Sequence, residues 1–211
     1  MAVAIETKPP VQASPAAPAA NSSNIAGLLS FWFDHSEGLT KWFKTSPTVD
    51  NECCIWKPLI EAARAGELNG WTQTPDGTLA LLLLLDQLPR NIYRGTPEAF
   101  ASDTAALNVA IDAIARGDDR RVPLERQMFF YLPLMHAESM LAQVGCLGLY
   151  QGMAARAEPG SPLRKLLDGA LDICQDKIET IRRFGRFPGR NVALGRQSAQ
   201  EELEFLRERG A

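Results

Sequence analysis

The chain has little with which to hold a metal. It carries two histidines, His35 and His136, and four cysteines in 211 residues. Cys53 and Cys54 are adjacent and no CxxC occurs, so a zinc site has almost no ligands to draw on. With Cys146 and Cys174 they read as small buried hydrophobes of a reducing compartment. Long apolar runs are also missing. The longest is Leu79–Leu85, far short of the roughly 20 residues that cross a bilayer, and no charged-then-apolar leader opens the chain. Neither sign of charge dominates: 22 Lys and Arg against 25 Asp and Glu leave a net charge of −3. No basic field exists to hold nucleic acid or an acidic membrane, so neither is expected as a partner. The cytoplasm is the expected location. GxGxxG, Walker, HExxH and GxSxG signatures are absent, and neither a metal nor a cofactor is called for.

What is present is helical patterning with sharp punctuation. Residues 1–23 stand apart. The run Pro9-Pro10-Val11-Gln12-Ala13-Ser14-Pro15-Ala16-Ala17-Pro18 has too little apolar surface to offset its ordering entropy. It predicts a disordered Pro/Ala-rich tail ahead of one domain over 24–211. Ile25, Leu28, Leu29, Trp32 and Phe33 recur at helical spacing. A stretch over Val49–Ala65 should be bent or split by Pro58 and ended by Gly66. Leu79–Leu85 is apolar on every side, and its lack of Val, Ile and Thr favours a central buried helix over a strand. Pro89 is expected to force Leu88 out of the helical region and close that element.

Thr96-Pro97-Glu98 reads as the next helix start, with Phe100, Thr104, Leu107, Ile111 and Ile114 as its inner stripe and Arg116-Gly117 as its end. Pro123 opens another helix. Pro133 is expected to reopen it as a longer one reaching about Arg156. Ser161-Pro162 begins a helix with Leu163, Leu167, Ala170, Cys174, Ile178 and Ile181 on one face, stopped by Gly185. Ser198-Ala199-Gln200-Glu201 reads as a capping box for the last helix. No alternating strand pattern occurs. The fold class is all-α, an array of about eight helices.

Two turns echo each other: Leu88-Pro89-Arg90-Asn91-Ile92-Tyr93-Arg94-Gly95 and Phe187-Pro188-Gly189-Arg190-Asn191-Val192-Ala193-Leu194-Gly195-Arg196. Asn suits a tight turn because it tolerates unusual backbone and bonds its own main chain. Arg offers a rigid donor fork matched to carboxylate and phosphate. A turn that opens a helix adds free N–H groups. The second turn is denser, with Arg182, Arg183, Arg186, Arg190 and Arg196 and no acid from 182 through 200. Such crowding costs stability unless partners are supplied. Asp86 faces the negative end of a buried helix, so Arg90 or Arg94 must compensate. His136 lies inside a helical stretch and can serve as a general acid or base near neutral pH. Glu138 lies two residues on and does not face it.

Here the chain resembles the bacterial domain-of-unknown-function family numbered 924. The residues that carry the likeness are Leu85-Asp86-Gln87-Leu88-Pro89-Arg90-Asn91, Arg94-Gly95-Thr96-Pro97, Ala99-Phe100-Ala101 with Asp103, Tyr131 with Pro133, His136 with Glu138, and Phe184-Gly185-Arg186-Phe187-Pro188 with Arg190-Asn191. Phe31-Trp32-Phe33 and Trp42-Phe43 fit its N-terminal part, and the likeness covers 24–208. The resemblance implies a tetratricopeptide-like right-handed helical packing and no activity. Gly189 departs from it, standing where the family's second turn is expected to carry a histidine.

Three readings follow. In the first, one polar pocket binds a small ligand bearing a carboxylate or phosphate. Arg90, Arg94, Arg186 and Arg190 would grip it, Asn91 and Asn191 would shape the turns, and Asp86, Arg126 and Tyr131 would complete the lining. His136 or Glu138 would carry the proton if a reaction occurs. In the second, a concave helical face clamps an acidic peptide. In the third, the turns are rigid staples.

Overall fold

Punctuation residues decide where the helices begin and end. The computed structural model describes residues 18–34 and 46–210, with side chains from 22 onward. Residues 1–17, His35 and the Trp42-Phe43 pair lie outside the described residues. Helix α1 (Pro18–Phe33) starts inside the stretch read as tail. Helices α2 (Pro47–Cys53) and α3 (Lys57–Arg64) are split by a 3-10 turn, Cys54–Trp56. Pro58 sits at the second position of α3, where its missing N–H costs nothing. Gly66, at φ 78, closes the pair.

Helix α4 (Pro75–Leu82) is capped by Thr74, whose Oγ1 accepts the Gly77 N–H at 3.1 Å. It does not end at Pro89. It widens into one π turn, Leu83–Gln87, and continues as α5 (Leu88–Ile92). Leu88 stays helical at φ −59, ψ −41, against the sequence expectation. The reason is local. In an unbroken α-helix the Pro89 ring would meet the carbonyl of Leu85. The π turn lets the Leu88 N–H reach back five residues to Leu83, and the carbonyl of Leu85 takes the Ser102 hydroxyl instead, at 2.8 Å.

Helix α6 (Asp103–Arg116) starts later than expected, because Thr96-Pro97 nucleates only a 3-10 turn, Pro97–Ala99. Its buried face is Ala106, Ala110 and Ala113 rather than the larger side chains; Ile111 is 49% exposed. Small residues let α6 approach α4 and α7 closely. Helix α7 (Leu124–His136) contains Pro133 and stops three residues beyond it. Helix α8 (Met140–Ala154) is separate, so the single long helix expected to reach Arg156 is broken at 137–139. Buried Gln143 explains the break: its amide donates to the carbonyls of Leu134, Met135 and Ala137 at 3.1, 2.9 and 2.7 Å. The Met135 and Ala137 carbonyls at the end of the helix thereby find a donor, while that of Leu134 also takes the Ala137 N–H at 3.2 Å.

Helix α9 (Pro162–Phe184) begins at the Ser161 cap and ends at Gly185, φ 67, as expected. Helix α10 (Gln200–Glu208) starts after Ala199, whose N–H is bonded by Glu202 at 2.8 Å. The carboxylate of the box is therefore Glu202 rather than Glu201, and Ser198 serves Asn191 instead.

Counting α2–α3 and α4–α5 as one broken rod each leaves eight helices among the described residues, with no strand. Leu79 to Leu85 are at most 2% exposed. Burying one such leucine contributes roughly 1.5–3 kcal/mol, so this segment anchors the core. α1, α6 and α7 pack around it, and α7, α8 and α9 pack in sequence beside them. The Cys146 and Cys174 sulfurs lie 3.9 Å apart between α8 and α9.

Candidate functional site

The π turn brings Asp86 inward beside the last residue of α7. Asp86 is buried, and its two oxygens lie 2.9 and 3.0 Å from His136 Nδ1. Gln87 Nε2 donates to the same carboxylate, and Arg90 Nη1 lies 3.1 Å from it. Burial alone would raise the pKa of Asp86. Arg90 and the His136 N–H outweigh that and hold the carboxyl well below the usual range. Burial and Arg90 push His136 the other way, down to about 4, with Asp86 opposing. At neutral pH the pair is a carboxylate and a neutral imidazole. Nδ1 then carries the proton, since it faces an acceptor, and Nε2 is left with its lone pair. Nε2 makes no hydrogen bond to the described residues.

The two echoing turns meet through Asp103, at the start of α6. Arg90 Nη2 binds one oxygen at 2.9 Å and Arg190 Nη1 the other at 3.0 Å. Arg190 also donates to the carbonyl of His136 at 2.8 Å and lies over the rings of Phe100 and Phe187. Its guanidinium thus fastens the end of α7, and with it the imidazole.

His136 borders two cavities. The first, about 490 Å³, lies between α7, Tyr150 of α8, and α9. Its walls are Met128, Leu132, Met135, Tyr150, Leu166, Gly169, Ala170 and Ile173; its only charged or titratable members besides Tyr150 are His136, Lys165 and Lys177. Lys165 is exposed at the rim and Lys177 is half-buried. No carboxylate pairs with Lys177 among the described residues; its Nζ lies 4.4 Å from the Phe187 ring centre. Burial, then Arg190 and Arg90, lower its pKa to about 8. The second cavity, about 330 Å³, is more polar and takes in Asp103, His136, Glu138, Ser139 and Arg190. No group of three metal-ligating side chains occurs among the described residues, and no helix there is long and apolar enough to cross a membrane.

This arrangement sits on the segments that carried the resemblance. A family model described as bacterial protein of unknown function (DUF924) matches residues 28–210. The chain belongs to DUF924. The solved structure of the protein of unknown function ATU0120 from Agrobacterium tumefaciens is 35% identical to it, with a TM-score of 0.77 over 89% of this chain and 99% of that one. No curated protein matches.

The DUF924 chain gathers Asp86, Arg90, His136 and Arg190 in one cluster. It sends the other expected site residues elsewhere. Arg94 and Asn91 reach Asp50 of α2. Arg126 stacks on Phe33 of α1 at 4.5 Å. Tyr131 donates to buried Asp119. Arg186 and Asn191 are held by Glu202, which fastens α10 to the second turn. Glu138 borders the polar cavity, but both its oxygens hold Arg196 and one also takes the Phe187 N–H at 2.8 Å. It is a staple of the turn, poorly placed to carry protons. Gly189 has ordinary backbone and an added Cβ would meet only Leu206 at 4.0 Å, so the turn geometry does not demand glycine.

Lys177, Lys165 and the Arg-bridging role of Asp103 escaped the sequence reading. Lys177 had a signal: it follows Ala170 by seven and Cys174 by three, a cation on the inward face of an otherwise apolar helix stripe. Asp103 had none beyond its place in the resemblance.

Proposed function

We propose that this DUF924 protein binds a small anion with an apolar body, a carboxylate or a phosphate monoester, in the cavity between α7, α8 and α9. The observation that carries the reading is the cavity's lining: apolar walls, two lysines, the neutral imidazole of His136, and no carboxylate. A site of this make-up takes the hydrocarbon part of a ligand against its walls and its charge against Lys177 and Lys165. The arginines of the two turns do not grip the ligand in this reading; they hold the wall that positions His136. Arg90, Arg94, Arg186, Arg190 and Arg196 each already bind a carboxylate, which leaves none of them free to clamp an acidic peptide.

The test is a melting series with hexanoate, hexyl phosphate, inorganic phosphate and hexanamide. A ligand at ten times its Kd adds about 1.4 kcal/mol, or roughly 3–6 °C for a domain of this size. Hexanoate or hexyl phosphate should raise the melting temperature, and inorganic phosphate and hexanamide should not. Gly169→Leu should abolish the shift, because Gly169 lines the cavity with nothing within 4 Å of an added Cβ. Equal shifts with all four compounds, or an unaltered shift in Gly169→Leu, would refute the reading.

A further inference from the structure

Lys177 is unlike a lysine held for packing. It stands on the inward stripe of α9 at the wall of an apolar cavity, with the Phe187 ring centre 4.4 Å from its Nζ, while the carboxylate of the adjacent Asp176 is taken by Arg209. The guanidiniums of Arg190 and Arg90, both held on Asp103, add repulsion, and Asp176 opposes them. Such surroundings weaken the ammonium, so that a larger share of the side chain is free amine near neutral pH than on an exposed lysine. His136 borders the same cavity, its Nδ1 fixed on Asp86 and its Nε2 free. An amine and an oriented imidazole at one apolar cavity are the groups that carbonyl condensation needs.

We infer that Lys177 is a covalent attachment point: its amine adds to the carbonyl carbon of an apolar aldehyde or oxo acid held in the cavity and condenses to an imine, with His136 carrying the proton. The inference rests on the cavity being the ligand site. The Nζ lone pair forms the new C–N bond while the C=O π pair moves to oxygen, which receives the first of the two N–H protons through His136 Nε2 and becomes a hydroxyl. His136 Nε2 takes an N–H proton from this adduct and returns it to the hydroxyl, which leaves as water as the nitrogen lone pair closes the C=N bond. The sum is amine plus carbonyl to imine plus water, with no redox change.

The full chain is incubated with hexanal or 2-oxohexanoate and sodium cyanoborohydride, which delivers hydride to the imine carbon and fixes it as a secondary amine. Peptide mapping then locates the adduct. Lys177 should be labelled about tenfold faster, or more, than Lys57 and Lys165. Lys177→Arg should lose that adduct while keeping its charge and its circular dichroism. His136→Asn should slow labelling of Lys177 by about 100-fold without changing that of Lys57. Even labelling over the lysines, or none at Lys177, overturns the inference, and an undiminished rate in a folded His136→Asn overturns the role of the imidazole. Hexanoate is the control for the ligand site. If it shifts the melting temperature and Lys177 stays unlabelled, only the imine falls. If Lys177 labels fast and hexanoate neither binds nor protects it, the imine stands and the anion reading falls.

Discussion

Replacing Lys177 by Met should make the protein more stable at neutral pH. Met keeps an unbranched stem, one atom shorter, and removes the charge. The Lys177 pKa falls from the usual 10.5 to about 8, mainly through burial and then through Arg190 and Arg90. At about 1.4 kcal/mol per unit, such a shift means that holding the ammonium in the folded protein costs up to about 3 kcal/mol. The substitution also removes the contact with Phe187, worth about 0.5–1 kcal/mol. Lys177 is partly exposed, and solvent trims the first figure further. A net gain of about 1–2 kcal/mol remains, or roughly 2–8 °C in melting temperature. The pH dependence has a definite sign. Below pH 8 both folded and unfolded chains hold the proton, and the penalty is complete. Between about 8 and 10.5 the folded chain has released it and the unfolded chain has not, so wild type gains stability as pH rises. The advantage of Lys177→Met should therefore shrink across that window, read by calorimetry at pH 7, 8, 9 and 10. A variant that melts lower than wild type at pH 7, or an advantage that does not change with pH, would show that Lys177 is a packing residue and that the cavity is not built around a costly cation.

The arginines should divide into two classes. Arg190→Ala strips one partner from Asp103 and the donor from the His136 carbonyl, and should cost about 3 kcal/mol by urea unfolding; Arg94→Ala, at a pair with an arginine 44% exposed, should cost under about 1 kcal/mol. Equal losses would contradict the placement. Acid should act through His136: the unfolded chain protonates it below 6.5 and the folded chain only below about 4, so stability drains as pH falls between those values, by up to about 1.4 kcal/mol per pH unit. His136→Asn removes that drain, and a variant whose urea midpoint falls as steeply as wild type over pH 6.5 to 4 would refute it. Two glycines should respond in opposite ways to alanine. At Gly77 an added Cβ would lie 2.2 Å from the carbonyl oxygen of Trp71 and should cost about 1–3 kcal/mol, whereas Gly148 on α8 has open space and should gain up to about 1 kcal/mol.

The corrections to the helix boundaries share one cause. Pro89 and Pro133 are helix breakers by their own chemistry, yet both lie inside helical segments. The carbonyl that Pro89 leaves without an N–H is taken by Ser102, 17 residues away. The α7 end that nothing local marks is set by Gln143, from the next helix. Likewise α6 turns its alanines inward because α4 and α7 stand close on that side, although its larger residues form a regular stripe of their own. In each case a partner distant in sequence outweighs a local preference of about 1–3 kcal/mol.

Taken alone, the sequence determined the all-α class, the central buried helix at Leu79–Leu85, the split near Pro58 and the ends of α9. These follow from period, punctuation and apolar content, which are local and read directly. Only the tertiary structure decided which charges meet. Arg90 and Arg190 converge on Asp103, while Arg94 and Arg186, in the same echoing turns, are drawn to Asp50 and Glu202. An arginine side chain is long enough to reach any of several carboxylates, and its partner is fixed by where other helices deliver theirs. The same holds for His136. Its chemistry is legible from its type, but its tautomer, its low basicity and its place between two cavities exist only once the π turn has carried Asp86 to it.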